Sequence, residues 1–285
     1  MFYWFMKHVV LGPLLKVLYR PKARGLENVP EEGPVILAAN HVSFMDSLFI
    51  PLALKRRVVY LGKSDYFDSA KTRWFFKLVN VIPVKREGGT AGEAAIQAGV
   101  RELKKGLVVG IYPEGTRSPD GRLFRGKTGV ARMALLANAP VVPVGVFGTR
   151  ELQPPDRKMP KLSGRVQIVF GRPLSFERFA GQDRDRFVLR SATDEILYEI
   201  MMITGQDYVD EYASRVKAQL AKQAEEQSAP AGDAGAATAP SVVHSSADPP
   251  GEPGTLSDEE AAASVQLVAE SPAAAEAEST ETPAS

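Results

Sequence analysis

Short apolar runs alternate along this chain with longer stretches in which apolar residues recur every three or four positions. The runs at 35–39, 58–61, 81–84, 107–112, 141–146 and 166–170 have the length of strands and are rich in valine and isoleucine. Residues 47–54, 74–79, 91–105, 128–138, 184–203 and 207–226 have the spacing or composition of helices, the third stopped by Gly106. Residues 24–34 hold turn formers and read as a loop. Strands and helices alternating in units of roughly 30 residues predict an α/β fold, a mostly parallel sheet flanked by helices on both faces. No dinucleotide-binding or P-loop glycine pattern occurs, and no Gly-x-Ser-x-Gly elbow, which disfavours nucleotide enzymes and serine hydrolases.

The two ends depart from this pattern. Residues 1–20 are crowded with aromatic and aliphatic side chains, but Lys7, His8 and Lys16 interrupt them and Gly12-Pro13 would kink a helix there. A bilayer span needs about 20 mostly apolar residues, and a signal peptide needs a small-residue cleavage site, so neither fits. Aromatics with flanking cations suit a helix lying in the membrane interface. The alternative is a helix packed on the domain's own core. At the other end, residues 227–285 are dominated by Ala, Pro, Ser, Thr, Gly and Glu without one aromatic, and read as a disordered tail. Three segments follow: a membrane-associating helix at 1–22, a domain at 23–226 and an acidic tail at 227–285, to which no role is assigned.

Charge sharpens that division. The tail carries 10 acids and no base, which leaves the body with 35 Lys and Arg against 24 Asp and Glu. A near-neutral total thus hides a basic body suited to anionic partners: phosphate groups, nucleic acid or an anionic membrane surface. The charge is spread over strand ends, without an aromatic-interleaved basic stretch, so nucleic acid is not expected. The absence of cysteine excludes disulfides and thiolate chemistry and fits a reducing compartment. With three histidines, His8 and His244 among them in the terminal segments, no histidine-rich metal site is expected.

His41 is the histidine placed for chemistry. It stands in Asn40-His41-Val42-Ser43-Phe44-Met45-Asp46, between the first strand and the first helix of the domain. Positions five apart lie about 140° apart on a regular helix, so His41 can meet Asp46 only from a turn before the helix. Ser43 and Asp46 also have the spacing of a capping box, in which His41 is an ordinary junction residue. Further polar clusters fall at other strand ends: Lys63; Lys85-Arg86 before Gly88-Gly89; and Pro113-Glu114-Gly115-Thr116-Arg117, with Arg125-Gly126-Lys127 opening the next helix. In an α/β sheet such ends line the ligand crevice. Arginine grips phosphate as a fork and lysine adds a movable point charge. Glu114 has a second reading, as an ion-pair partner of Arg117 that holds the loop.

Asn40-His41-x4-Asp46, residues 81–86, residues 112–118 and residues 139–144, in that order, resemble the four sequence blocks of the glycerolipid acyltransferases, and most of all the 1-acyl-sn-glycerol-3-phosphate acyltransferases. His-x4-Asp alone is a weak signal; four ordered blocks with Pro-Glu-Gly-Thr-Arg-Ser intact are a strong one. The resemblance implies His41 as general base and Asp46 as its orienting partner. It implies acceptor binding by Arg86, Glu114, Gly115, Thr116 and Arg117, with Lys85 standing where an acidic residue often precedes the arginine. Lys63 joins these as a strand-end cation. The implied reaction moves an acyl chain from acyl-CoA or acyl carrier protein to the sn-2 hydroxyl of lysophosphatidate, giving phosphatidic acid, with no cofactor or metal. Donors for the thioester oxygen are expected among backbone N–H groups near the junction or the Gly115 loop. The implied setting is the cytoplasmic face of the cell membrane, as a peripheral or monotopic protein among membrane lipids. Alternatives are another lysolipid, glycerol 3-phosphate or a different lipid as acceptor, and a membrane-binding module without activity.

Overall fold

The structure is a computed structural model that describes residues 7, 9, 11–63, 81–84, 91–154, 157 and 159–228. The expected helix at 74–79, the pair Lys85-Arg86 and the tail from 229 onward lie outside the described residues.

The apolar runs, joined by one short polar stretch, form the strands of a single sheet. In chain order these are β1 (Lys22–Arg24), β2 (Val35–Ala39), β3 (Val58–Lys63), β4 (Val81–Val84), β5 (Val108–Ile111), β7 (Val141–Phe147) and β8 (Gln167–Phe170); a two-residue strand, β6 (Leu123–Phe124), lies outside it. Spatial order is β1-β8-β7-β2-β5-β3-β4. Neighbours run parallel except β7 and β8, so the sheet is mostly parallel, as expected. All five residues of β2 are buried, as a strand flanked on both sides and covered on both faces should be. Its side chains divide by parity. Val35, Leu37 and Ala39 enter one core layer, and Ile36 and Ala38 enter the other.

Helices supply the partners of each layer. On the first face lie α1 (Leu11–Tyr19), through Leu15 and Tyr19, and α2 (Asp46–Ala53), through Phe49 and Ile50. Gly12-Pro13 falls in the first turn of α1, where a missing N–H costs little. On the second face lie α3 (Ala91–Lys104), α4 (Gly129–Ala137) and α6 (Arg186–Thr204). A four-residue α5 (Thr149–Leu152) follows β7, and α7 (Ala213–Ser228) ends the described chain. Among the described residues no helix is long and apolar enough to cross a membrane.

Two expectations need correction. Residues 22–24 form β1 at the sheet edge, although 24–34 reads as loop; Lys22-Ala23-Arg24 has no apolar pattern and takes its strand form from parallel pairing with β8. Residues 207–226 are not one helix. Tyr208–Val209 is a strand, β9, paired with β6, and the helix begins only at Ala213. Leu123 N–H donates to the Asp207 carbonyl and Arg125 N–H to Val209, so backbone pairing overrides helical propensity there.

Candidate active site

The carboxyl ends of β2, β5, β3 and β4 lie side by side, and the chain after β2 carries the site. Asn40, 1% exposed, continues β2 with its side chain. Its Oδ1 accepts from Val146 N–H (2.8 Å), while Nδ2 donates to the Val146 carbonyl (3.2 Å) and to Gln206 Oε1 (2.9 Å). The amide thus completes the β7 ladder where the main chain turns away, and His41 leaves the sheet edge from a fixed point.

Asp46 opens α2 and is fully buried. One oxygen, Oδ2, takes three hydrogen bonds of 2.9 Å, from His41 Nδ1, Val42 N–H and Ser43 N–H. Ser43 Oγ in turn accepts from Met45 N–H at 3.3 Å. The two readings of this stretch therefore hold together: Asp46 reaches back to the Ser43 backbone as a capping box does, and the same oxygen meets the imidazole. A carboxylate facing Nδ1 assigns the Nδ1–H tautomer and leaves the Nε2 lone pair open. The His41 ring lies flat on Tyr112, with centroids 3.8 Å apart and planes 12° apart. Tyr112 is itself held by a 2.8 Å hydrogen bond between its hydroxyl and Ser47, and it stacks on Tyr60. Tyr60 reaches across β5 because Gly110 has no side chain; a Cβ there would stand 2.4 Å from the Tyr60 ring.

The turn after β5 is tied to His41 twice. Glu114 Oε1 accepts from His41 N–H (3.0 Å), and Ser118 N–H donates to the His41 carbonyl (2.7 Å). The second Glu114 oxygen accepts from Phe124 N–H (3.0 Å). Glu114 is 1% exposed; burial pushes its carboxyl up to about 7, against the pull of those two N–H donors. Among the described residues it makes no ion pair with Arg117, so the ion-pair reading of this loop is replaced by backbone anchoring. What Glu114 fixes is the position of the turn. Gly115 takes φ +74°, open to glycine, and this sets Thr116 and Arg117 at the apex. Lys217, from α7, donates to Thr116 Oγ1 at 3.2 Å.

The structure therefore gathers His41, Asp46, Glu114, Gly115, Thr116 and Arg117. Lys63 ends β3, the strand beside β5, and Lys85-Arg86 follow β4 outside the described residues. Of the N–H groups expected to face a thioester oxygen, those of His41, Val42, Ser43 and Gly115 are already held by Glu114, Asp46, Asp46 and the Tyr112 carbonyl. Sequence reasoning did not single out Tyr112 or Lys217. Tyr112 lies in the Tyr-Pro-Glu-Gly-Thr-Arg block and was within reach. Lys217 comes from a helix about a hundred residues further on, with no spacing to mark it.

Comparison with known proteins bears on this geometry. A profile of the acyltransferase family matches residues 20–147, which contain all six gathered residues but not Lys217. A 1-acyl-sn-glycerol-3-phosphate acyltransferase of Bacillus subtilis is 30% identical over 161 residues, 56% of this chain and 76% of the relative. The chain belongs to the acyltransferase family. A chloroplastic 1-acyl-sn-glycerol-3-phosphate acyltransferase of Brassica napus is 31% identical over 157 residues, but this chain spans only 45% of that relative's length. The acyltransferase fold is seen directly in the crystal structure of the 1-acyl-sn-glycerophosphate acyltransferase PlsC from Thermotoga maritima. It overlays with a TM-score of 0.53 at 24% identity, covering 69% of this chain and 84% of that one.

Proposed function

We propose that this acyltransferase moves an acyl chain from an acyl thioester, acyl-CoA or acyl carrier protein, to the sn-2 hydroxyl of 1-acyl-glycerol 3-phosphate, forming phosphatidic acid. The observation that carries the reading is the 2.9 Å bond from His41 Nδ1 to a buried Asp46, which leaves Nε2 as a base. The names of the B. subtilis and B. napus relatives support this acceptor. A thioester is already activated; what the reaction lacks is removal of the hydroxyl proton during attack. A positioned histidine contributes about 10²–10⁴-fold to such a step. As the hydroxyl oxygen bonds to the carbonyl carbon, its proton passes to Nε2 and Asp46 stabilises the imidazolium. The C–S bond then breaks, and His41 returns the proton to the departing thiolate. Arg117, with Lys63, Lys85 and Arg86 from the neighbouring strand ends, holds the acceptor phosphate and brings the hydroxyl to His41. The exposed face of α1 (Leu14 53% and Val17 75% exposed) sets the protein on a membrane surface, where both lipids reside.

The test is acyl transfer from acyl-CoA to 1-acyl-glycerol 3-phosphate in liposomes, with wild type beside His41→Ala and both proteins checked by circular dichroism. The expected result is a loss of about 10³-fold in kcat for a folded variant. A folded His41→Ala protein that turns over like wild type would remove the base assignment. A wild type that acylates another lipid but not this one would replace the acceptor.

A further inference from the structure

Three cations surround the turn at 114–117, and among the described residues none of them has an ion-pair partner. The side chain of Arg117 makes no hydrogen bond among the described residues, nor does that of Lys127. Lys127 N–H donates to the Pro113 carbonyl, and its side chain lies over Gly115, with Nζ 3.2 Å from where a Cβ on that residue would stand. Lys217 is half-buried, and its contact here is with a neutral hydroxyl, Thr116 Oγ1 at 3.2 Å. Glu114, the acid of this turn, has both oxygens occupied by backbone N–H groups. Burial and, after it, the neighbouring Arg117 disfavour the charge on Lys217, and Glu114 offsets them only in part, so the Lys217 amine stays below the ordinary lysine range. Such a cluster carries a standing electrostatic cost that an incoming anion removes.

We propose that Lys217 is a third cation of the acceptor-phosphate site, brought to the turn by α7 from outside the matched segment and aimed by Thr116. This deepens the function proposed above and rests on it. A phosphate monoester offers several acceptor oxygens; Arg117 supplies a fork, and Lys217 at Thr116 and Lys127 over Gly115 supply point charges. Thr116 then has a definite task. Its hydroxyl accepts from Lys217 and holds the ammonium beside Arg117 despite their repulsion. The α7 helix is thereby part of the acceptor site.

The test compares wild type, Lys217→Met and Lys217→Arg by steady-state kinetics on 1-acyl-glycerol 3-phosphate, with melting temperatures measured alongside. In the methionine variant KM for the acceptor is expected to rise about tenfold, with most of the loss in kcat/KM residing in KM. Competitive inhibition by glycerol 3-phosphate should weaken in the same proportion, and the arginine variant should recover most of both. If Lys217 only pins α7 to the turn, the methionine variant loses melting temperature or kcat while KM and the inhibition stay put, and the proposal fails. It also fails if the arginine variant is as impaired as the methionine one. A wild type with no turnover on this acceptor overturns the function and this proposal together, whereas an active wild type with an unaltered Lys217→Met variant overturns this proposal alone.

Discussion

At the scale of single residues, Glu114 shows how a carboxylate can matter to a site without facing a ligand. Its two oxygens bind the N–H groups of His41 and Phe124, so one side chain fixes both the His41 junction and the end of β6. Glutamine there keeps one acceptor and replaces the other with a donor, setting N–H against N–H. Glu114→Gln is expected to cost about 1–3 kcal/mol of stability, with turnover down about tenfold or more as His41 loses its anchor. The pH dependence has a definite sign. The folded carboxyl, at about 7, binds its proton at higher pH than the unfolded one, near 4.5. Between those values the folded state holds more protons, so stability falls as pH rises through that window, by about 3 kcal/mol in all, and levels off above it. Urea unfolding of both proteins at pH 5 and pH 8 reads this directly. The glutamine variant should lack that part of the slope, and equal slopes in the two proteins would show that Glu114 does not titrate there.

At the scale of elements, sequence and structure agree where a segment carries its own pattern and part where it does not. The continuous apolar runs of β2, β5 and β7 mark buried strands without outside help, and the His41-to-Asp46 spacing permits a contact only at a strand-to-helix junction, which is where it occurs. By contrast β1, β6 and β9 are two or three residues long and acquire strand form from partners elsewhere in the chain; Tyr208–Val209 would propagate a helix were Leu123–Phe124 not beside it. Lys217 was illegible for the same reason, since its partner Thr116 is brought near only by tertiary packing. Helix α6 is a case of local legibility. Asp185 caps it, accepting from Phe187 N–H (2.8 Å) and Val188 N–H (3.1 Å), and the helix then buries Leu189, Ala192, Ile196, Leu197 and Ile200 against the sheet. Asp185→Ala should lower stability by about 1 kcal/mol in chemical denaturation, with turnover within about twofold of wild type, because the cap is remote in sequence from the gathered residues. A stability loss below about 0.3 kcal/mol would mean that packing alone holds that end.

At the scale of the whole molecule, the N-terminal helix packs on the core as one of its two readings expects, and the membrane contact of the other reading is a proposal for its outward face. Leu15 and Tyr19 of α1 enter the core, Tyr19 edge-on to Phe49 at 5.6 Å, while Leu14 and Val17 face outward. Beside them Lys7, Lys16 and Lys55 line a cavity of about 240 Å³. An exposed apolar pair flanked by lysines, on a body with 35 basic residues against 24 acidic ones, is the combination that adds apolar insertion to attraction for anionic lipid. Because Leu14 and Val17 are solvent-exposed, replacing both by aspartate should leave melting nearly unchanged, within about 0.5 kcal/mol for each. The same double variant should bind vesicles of anionic phospholipid at least about tenfold more weakly in a sedimentation assay, since each side chain forfeits apolar burial worth on the order of 1 kcal/mol and gains repulsion. Raising salt from about 0.1 M to 1 M should weaken the wild type as well, as the Debye length shrinks from about 10 Å to about 3 Å. Binding that ignores both the double substitution and the salt would place the contact elsewhere on the molecule and leave α1 with a role in the core alone.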